Sequence, residues 1–345
     1  MAAVFAGFLL ALMLRYPMQS VQAAADGLRT FAQGVLPALF PYMALCQLLS
    51  PALARMRRVP RALPVTVLAF LGGSPGGARL IALLCAQGAL SPRQTRMLAA
   101  LTGTCSPMFL LGTVSAWACS HALGVCLLLS HWMGAALCAL CVRAFDRSEM
   151  PQSAAPGSSP PPETPPSLAS AVQGSAQAML TVGGCIALMT VAARLCACAF
   201  PALGGGAQAA LHAALEMAGG AHAILSLGLP PRTAAVCVCA AVSFGGVSVL
   251  LQNLSFLRTV GISVPYLALC RALHALFAAA LCRLLYPPLS RALPAAAFPL
   301  GAPAAGAAGF PALPALWILL GLAALGLDRR RARVRRARRA TSLRT

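Results

Sequence analysis

Glu216 is the only carboxylic acid inside an apolar stretch of this 345-residue chain, which holds six acidic residues in all. An ionisable group in hydrocarbon is costly, so it marks a candidate site by default. It can carry a proton, hold a cation or pair with a buried guanidinium such as Arg271. Gly219 and Gly220 follow it in LEMAGG. A second interruption of an oily run, LGGSPGGAR from Leu71 to Arg79, contains Ser74, Gly76, Gly77 and a closing cation. Glycine permits the turn, proline ends a helix, and the freed helix N-terminus offers amides and a positive dipole to an anion. Arg79 adds a charge suited to a carboxylate. Ser106 beside Pro107, and Ser243, Ser248 and Gln252 around Gly245 and Gly246, supply neutral donors at two further irregularities. These residues are the expected substrate-binding set, a cradle for a small anionic solute.

Bond-breaking chemistry lacks its parts. The chain has no HExxH, no GxSxG, no glycine-lysine phosphate loop and no paired carboxylates, so we expect neither an enzyme nor an ATP-driven pump. Any transport must be secondary or driven by a partner. His131 and His274 have no second ligand at metal spacing, and the 14 cysteines are scattered through apolar runs as small packing residues. No metal and no cofactor are expected.

The elements that hold these residues belong in a membrane. Hydrophobic residues make up 59% of the chain, charged residues 9%, and the mean hydropathy is +0.80. All 26 basic residues are arginine, a bias typical of a GC-rich genome, and the +20 charge is no sign of nucleic-acid binding. Nine of them lie in a tail, 328–345, that reads as a cytoplasmic anchor at anionic lipid. Apolar runs long enough to cross a bilayer occupy about 31–53, 97–118, 122–142, 176–200, 233–252 and 264–285. Shorter runs open the chain at 2–16, as an uncleaved first helix, and close it near 308–327. The runs 65–88 and 208–229 are interrupted, and we expect re-entrant hairpins there.

A Pro- and Ser-rich linker, 146–168, divides two membrane repeats, 31–145 and 169–290, flanked by an N-terminal helix and loop, 1–30, and a C-terminal helix, 291–327. GGARLIALL at Gly76 and GGAHAILSL at Gly219 start 143 residues apart, and His131 and His274 share that offset. Were both interrupted runs to cross fully, Arg93, Arg96, Arg143 and Arg147 would move outside, so hairpins satisfy the positive-inside rule better. The expected fold is an all-α polytopic membrane protein of about eight crossings and two inverted repeats, with both termini cytoplasmic.

The ordered motifs DGLRTFAQGVLPALFPYMALCQLL (26–49), RVP (58–60), SPGGAR, TCSPMFLLGTV (104–114), SHWMG (130–134), LEMAGG, SFGGVSVLLQ (243–252) and RALH (271–274) resemble the sporulation integral membrane proteins of the YlbJ type. That family carries two nucleoside-recognition Gate domains, and the resemblance covers about residues 5–286. It implies a transporter-like protein in a cell membrane of endospore-forming bacteria, such as the outer forespore membrane, associated with moving dipicolinate towards the spore. Other sporulation membrane proteins or a second copy are then the expected partners. Ser74 stands where the family usually has Tyr, Arg79 where it has Lys, and Cys105 near where it has Asn. The rival reading is a non-transporting scaffold or assembly factor of the spore envelope.

Overall fold

Large apolar side chains cover the outside of this chain as well as its interior. Leu180, Leu276 and Leu284 are exposed on its surface, while Leu127, Leu195 and Leu267 are buried. Helices apolar all round are stable where lipid replaces water. The computed structural model describes residues 2–54, 62–86, 88, 90–145 and 167–293.

Among those residues there are helices and no strand. The first half runs α1 (Ala2–Arg15), α2 (Pro17–Thr30), a π-helical turn (Phe31–Val35) leading into α3 (Leu36–Ala54), α4 (Ala62–Gly72), α5 (Gly76–Ala86) and α6 (Pro92–Leu101). A second π-helical stretch (Phe109–Val114) then enters α7 (Ser115–Trp117), followed by α8 (His121–Phe145). The second half runs α9 (Leu168–Ala199), α10 (Gly205–Leu215), α11 (Met217–Leu225), α12 (Pro231–Phe244), α13 (Gly246–Leu257), a 3-10 turn (Arg258–Val260) and α14 (Val264–Ala292). Start signals are local: Ser91 caps α6 in a reciprocal box with Gln94, and Ser167 and Ser263 cap α9 and α14.

Five helical stretches are long and apolar enough to cross a membrane: Pro17–Leu49, His121–Phe145, Leu168–Ala199, Pro231–Val260 and Val264–Ala292. The protein is an all-helical, multi-pass membrane protein. The expected runs 122–142, 176–200 and 264–285 lie within single helices, and 31–53 lies in the π-helical turn and α3. Two others differ from expectation. Run 97–118 is not one helix, because the backbone leaves helical geometry over 102–106, and run 233–252 breaks at Gly245, whose φ of +81° ends α12. The runs read as interrupted, 65–88 and 208–229, break at Gly73 (φ +66°) and at Glu216. There are thus four breaks among the described residues, two on each side of the linker. The bulk of that linker, the C-terminal run near 308–327 and the arginine tail lie outside the described residues.

Glycines let the long helices approach. A Cβ on Gly134 of α8 would stand 2.8 Å from the backbone nitrogen of Ala278 in α14, and one on Gly27 of α2 would stand 2.9 Å from the Ala187 Cα in α9. Cys126 meets Cys282, and Cys138 meets the carbonyl of Cys270, so α8 and α14 run antiparallel. Both halves also repeat one bond: Arg93, at the start of α6, donates to the carbonyl of Arg143 in α8, and Arg232, at the start of α12, donates to that of Arg283 in α14, both at 2.9 Å.

Candidate functional site

The four breaks meet. Around a cavity of about 40 Å³ stand Ser74 from the first break, Gly103 to Ser106 from the second, and Glu216 to Ala218 from the third. Ser248 and Gln252 close it from the first turns of α13, after the fourth. Val35, Leu39, Phe109, Val182 and Ile186 make the remaining wall apolar. Space of that size holds a few waters in polar surroundings.

Each break is fixed by bonds that replace the lost helical ones. The Ser74 amide donates to the Thr104 carbonyl at 2.8 Å, joining the first break to the second, and the Ser74 hydroxyl donates to Asn253 Oδ1 at 3.1 Å, joining it to α13. Gly73 has no room for a side chain, since a Cβ would lie 2.8 Å from the Ser106 amide nitrogen. At the third break the extended backbone of Glu216 lets its own carboxylate cap α11. One oxygen accepts from the Ala218 amide at 2.9 Å and the other from Gly219 at 2.6 Å. Gly246 is held beside the Leu215 carbonyl, where a Cβ would come within 2.9 Å, so the fourth break packs on the third.

Glu216 and Arg271 are both 1% exposed, yet they are not paired. Among the described residues the ion pair is Arg29 with Asp26, on the surface. Arg271 instead donates to the carbonyls of Gly103 and of Ala100, the latter at 2.6 Å, and its Nε has no partner. Its guanidinium fills the place a Gly103 Cβ would take, so the cation lies directly behind a residue of the cavity wall. Carbonyls freed at the C-terminal end of α6 are a natural seat for a cation.

The histidines tie the breaks to the long helices. His131 Nε2 accepts from the Cys105 amide at 2.9 Å, which leaves Nδ1 to donate to Ser243 Oγ at 2.8 Å. His274 Nε2 donates to the His131 carbonyl at 2.8 Å. Ser243 therefore supports the wall rather than lining it. Among the described residues no group of three His, Cys, Asp or Glu side chains could hold a metal ion.

Of the expected set, Ser74, Ser106, Glu216, Ser248 and Gln252 line the cavity. Gly77 packs against Ala69 and Thr102, Gly219 and Gly220 pack against His212 and Ala213, and Gly76 meets nothing within 4 Å of a Cβ position. Arg79 is exposed, outside the wall, and donates to the Gly174 carbonyl at 3.3 Å. Sequence reasoning missed Asn253, 2% exposed beside Gln252, although a second amide in an oily helix was a usable signal. It also missed His212, whose buried Nε2 has no partner.

Fold and cavity together define a multi-pass helical membrane protein whose broken helices surround a small, mainly apolar chamber with a few polar groups at the breaks. The chain is similar to sporulation integral membrane protein YlbJ of Bacillus subtilis (strain 168), with 28% identity over 221 residues. That match covers 54% of this chain and 54% of the relative, so the chain spans about half the length of the curated protein it matches. No family model and no solved structure matches it.

Proposed function

We propose that this chain is a secondary transporter-like membrane protein of spore formation that moves a small anionic metabolite, with dipicolinate the leading candidate. One observation carries the reading: four helix breaks converge on one chamber whose wall holds a buried carboxylate and, behind Gly103, a guanidinium with no acidic partner. Non-helical backbone at membrane depth is tolerated where it lines a cavity, and transporters place solute at such breaks. A scaffold needs none of this. The name of the similar protein supports the link to sporulation.

On this reading the halves are inverted Gate-type repeats, with about eight crossings and re-entrant hairpins at α4–α5 and α10–α11. The linker and both termini are cytoplasmic, the arginine tail rests on anionic lipid, and the protein resides in the cell membrane, the outer forespore membrane being the leading site. A chamber of about 40 Å³ is closed to a planar dicarboxylate, so the wall elements part to admit it. Ser74, Ser106, Ser248 and Gln252 donate to its oxygens, and the charge of Arg271 or Arg79 balances it. Neither enzymatic activity nor a cofactor is required. Purified protein in liposomes should take up labelled dipicolinate; absence of uptake of this and other small carboxylates would leave the scaffold reading.

A further inference from the structure

We propose that anion entry is coupled to one proton, delivered to Glu216 through His212. This rests on the transport reading above and names its coupling. Glu216 and Arg271 are buried charges of opposite sign that do not touch, one in the chamber wall and one behind it. With both ionised, the empty chamber is electrically balanced. An added carboxylate breaks that balance in a low-dielectric site, and a proton on Glu216 reduces the excess negative charge by one.

The same proton loosens a built-in competitor. Ionised, Glu216 holds the amides of Ala218 and Gly219 as a solute carboxylate would. Protonated, it is a weaker acceptor and yields those two donors, which stand beside the chamber with Ala218 in its wall.

His212 is placed to supply that proton. It lies one turn before Glu216 on α10 and is partly exposed, but its Nε2 is buried and has no partner. A Cβ on Gly219 would stand 2.6 Å from that Nε2 and 3.2 Å from Glu216 Oε2, so both atoms flank the same glycine. The two atoms are not hydrogen-bonded to each other in the structure, so a proton arriving at Nδ1 releases Nε2–H to Oε2 through an intervening water or a small shift of α10 against α11, and the reverse transfer follows release of the anion. The other titratable groups near this pair are Cys105, from the second break, Arg271 behind Gly103, and His222 of α11, which faces His212. The wall residues from the π turn, α3, α9, α12 and α13, namely Val35, Leu39, Val182, Ile186, Val242, Ser248, Val249 and Gln252, do not titrate.

The test is dipicolinate binding to the purified full chain between about pH 6 and pH 8, a range where carboxylates of ordinary pKa stay ionised. Linkage to one proton tightens binding about tenfold per unit fall in pH. Glu216→Gln should bind with a flat pH profile and lose accumulation driven by a proton gradient, while Glu216→Asp restores the slope. His212→Asn should keep the slope but slow gradient-driven uptake by about tenfold. A flat profile in the parent protein, or an undiminished slope in Glu216→Gln, overturns the coupling and leaves the transport reading standing. No binding at any pH overturns both.

Discussion

Gly103→Ala is the sharpest probe of the arrangement behind the chamber. Its new Cβ would fall on the Arg271 guanidinium, overlapping Nη1 and Cζ, so the side chain must leave its place. Two hydrogen bonds from a charged donor are then lost, to the carbonyls of Gly103 and Ala100. At about 1.5–3 kcal/mol each, the loss comes to about 3–6 kcal/mol. Moving the cation rather than deleting it leaves it buried without acceptors, which favours the upper half of that range. Thermal unfolding of the detergent-solubilised protein reads the effect, with Gly76→Ala as control, because nothing lies within 4 Å of that Cβ position. In an Arg271→Ala background the guanidinium is gone, and Gly103→Ala should cost less than about 1 kcal/mol. Equal costs in the two backgrounds would refute the reasoning, since the clash would then not be with Arg271.

Further expectations follow from individual contacts. Gly134→Ala should push α8 from α14, because its Cβ meets Ala278 backbone at 2.8 Å; a loss of about 1–3 kcal/mol is expected in the same unfolding assay. Arg79→Gln separates two sources of positive charge: the sequence-level cradle expects uptake of dipicolinate to be abolished, whereas uptake near the parental rate assigns the anion's charge to Arg271. Cysteine labels at Ser158 and Thr341 should both react from the cytoplasmic side; labelling of the linker from the opposite side would replace the hairpin arrangement with ten full crossings. Glu216→Leu should remove the cap on α11 and leave the Ala218 and Gly219 amides without their present acceptor, lowering stability by about 1–2 kcal/mol in the unfolding assay.

What was legible in the sequence, and what was not, follows from the physics of a helix in lipid. Breaks are written in residue type: Gly73 and Gly245 take positive φ, Pro75 and Pro107 lack an amide proton, and Glu216 caps the helix that follows it. All four positions could therefore be marked as irregular, although 97–118 and 233–252 still read as whole spans, since hydropathy averages over a break of a few residues. Rotation about the helix axis is different. Along α5 each residue turns the side chain by about 100°, so Ser74 faces the chamber just before that helix while Arg79 on its first turn faces away, and no apolar stripe reports the rotation because lipid accepts apolar residues on every face. The shared offset of His131 and His274 was visible, but their direct bond required two long helices to pack antiparallel through Gly134. Arg271 shows the same limit from the other side. Its charge was conspicuous and invited pairing with Glu216, yet carbonyls freed at the end of α6 took its place as acceptors, and backbone acceptors of that kind appear only once a helix has been seen to stop.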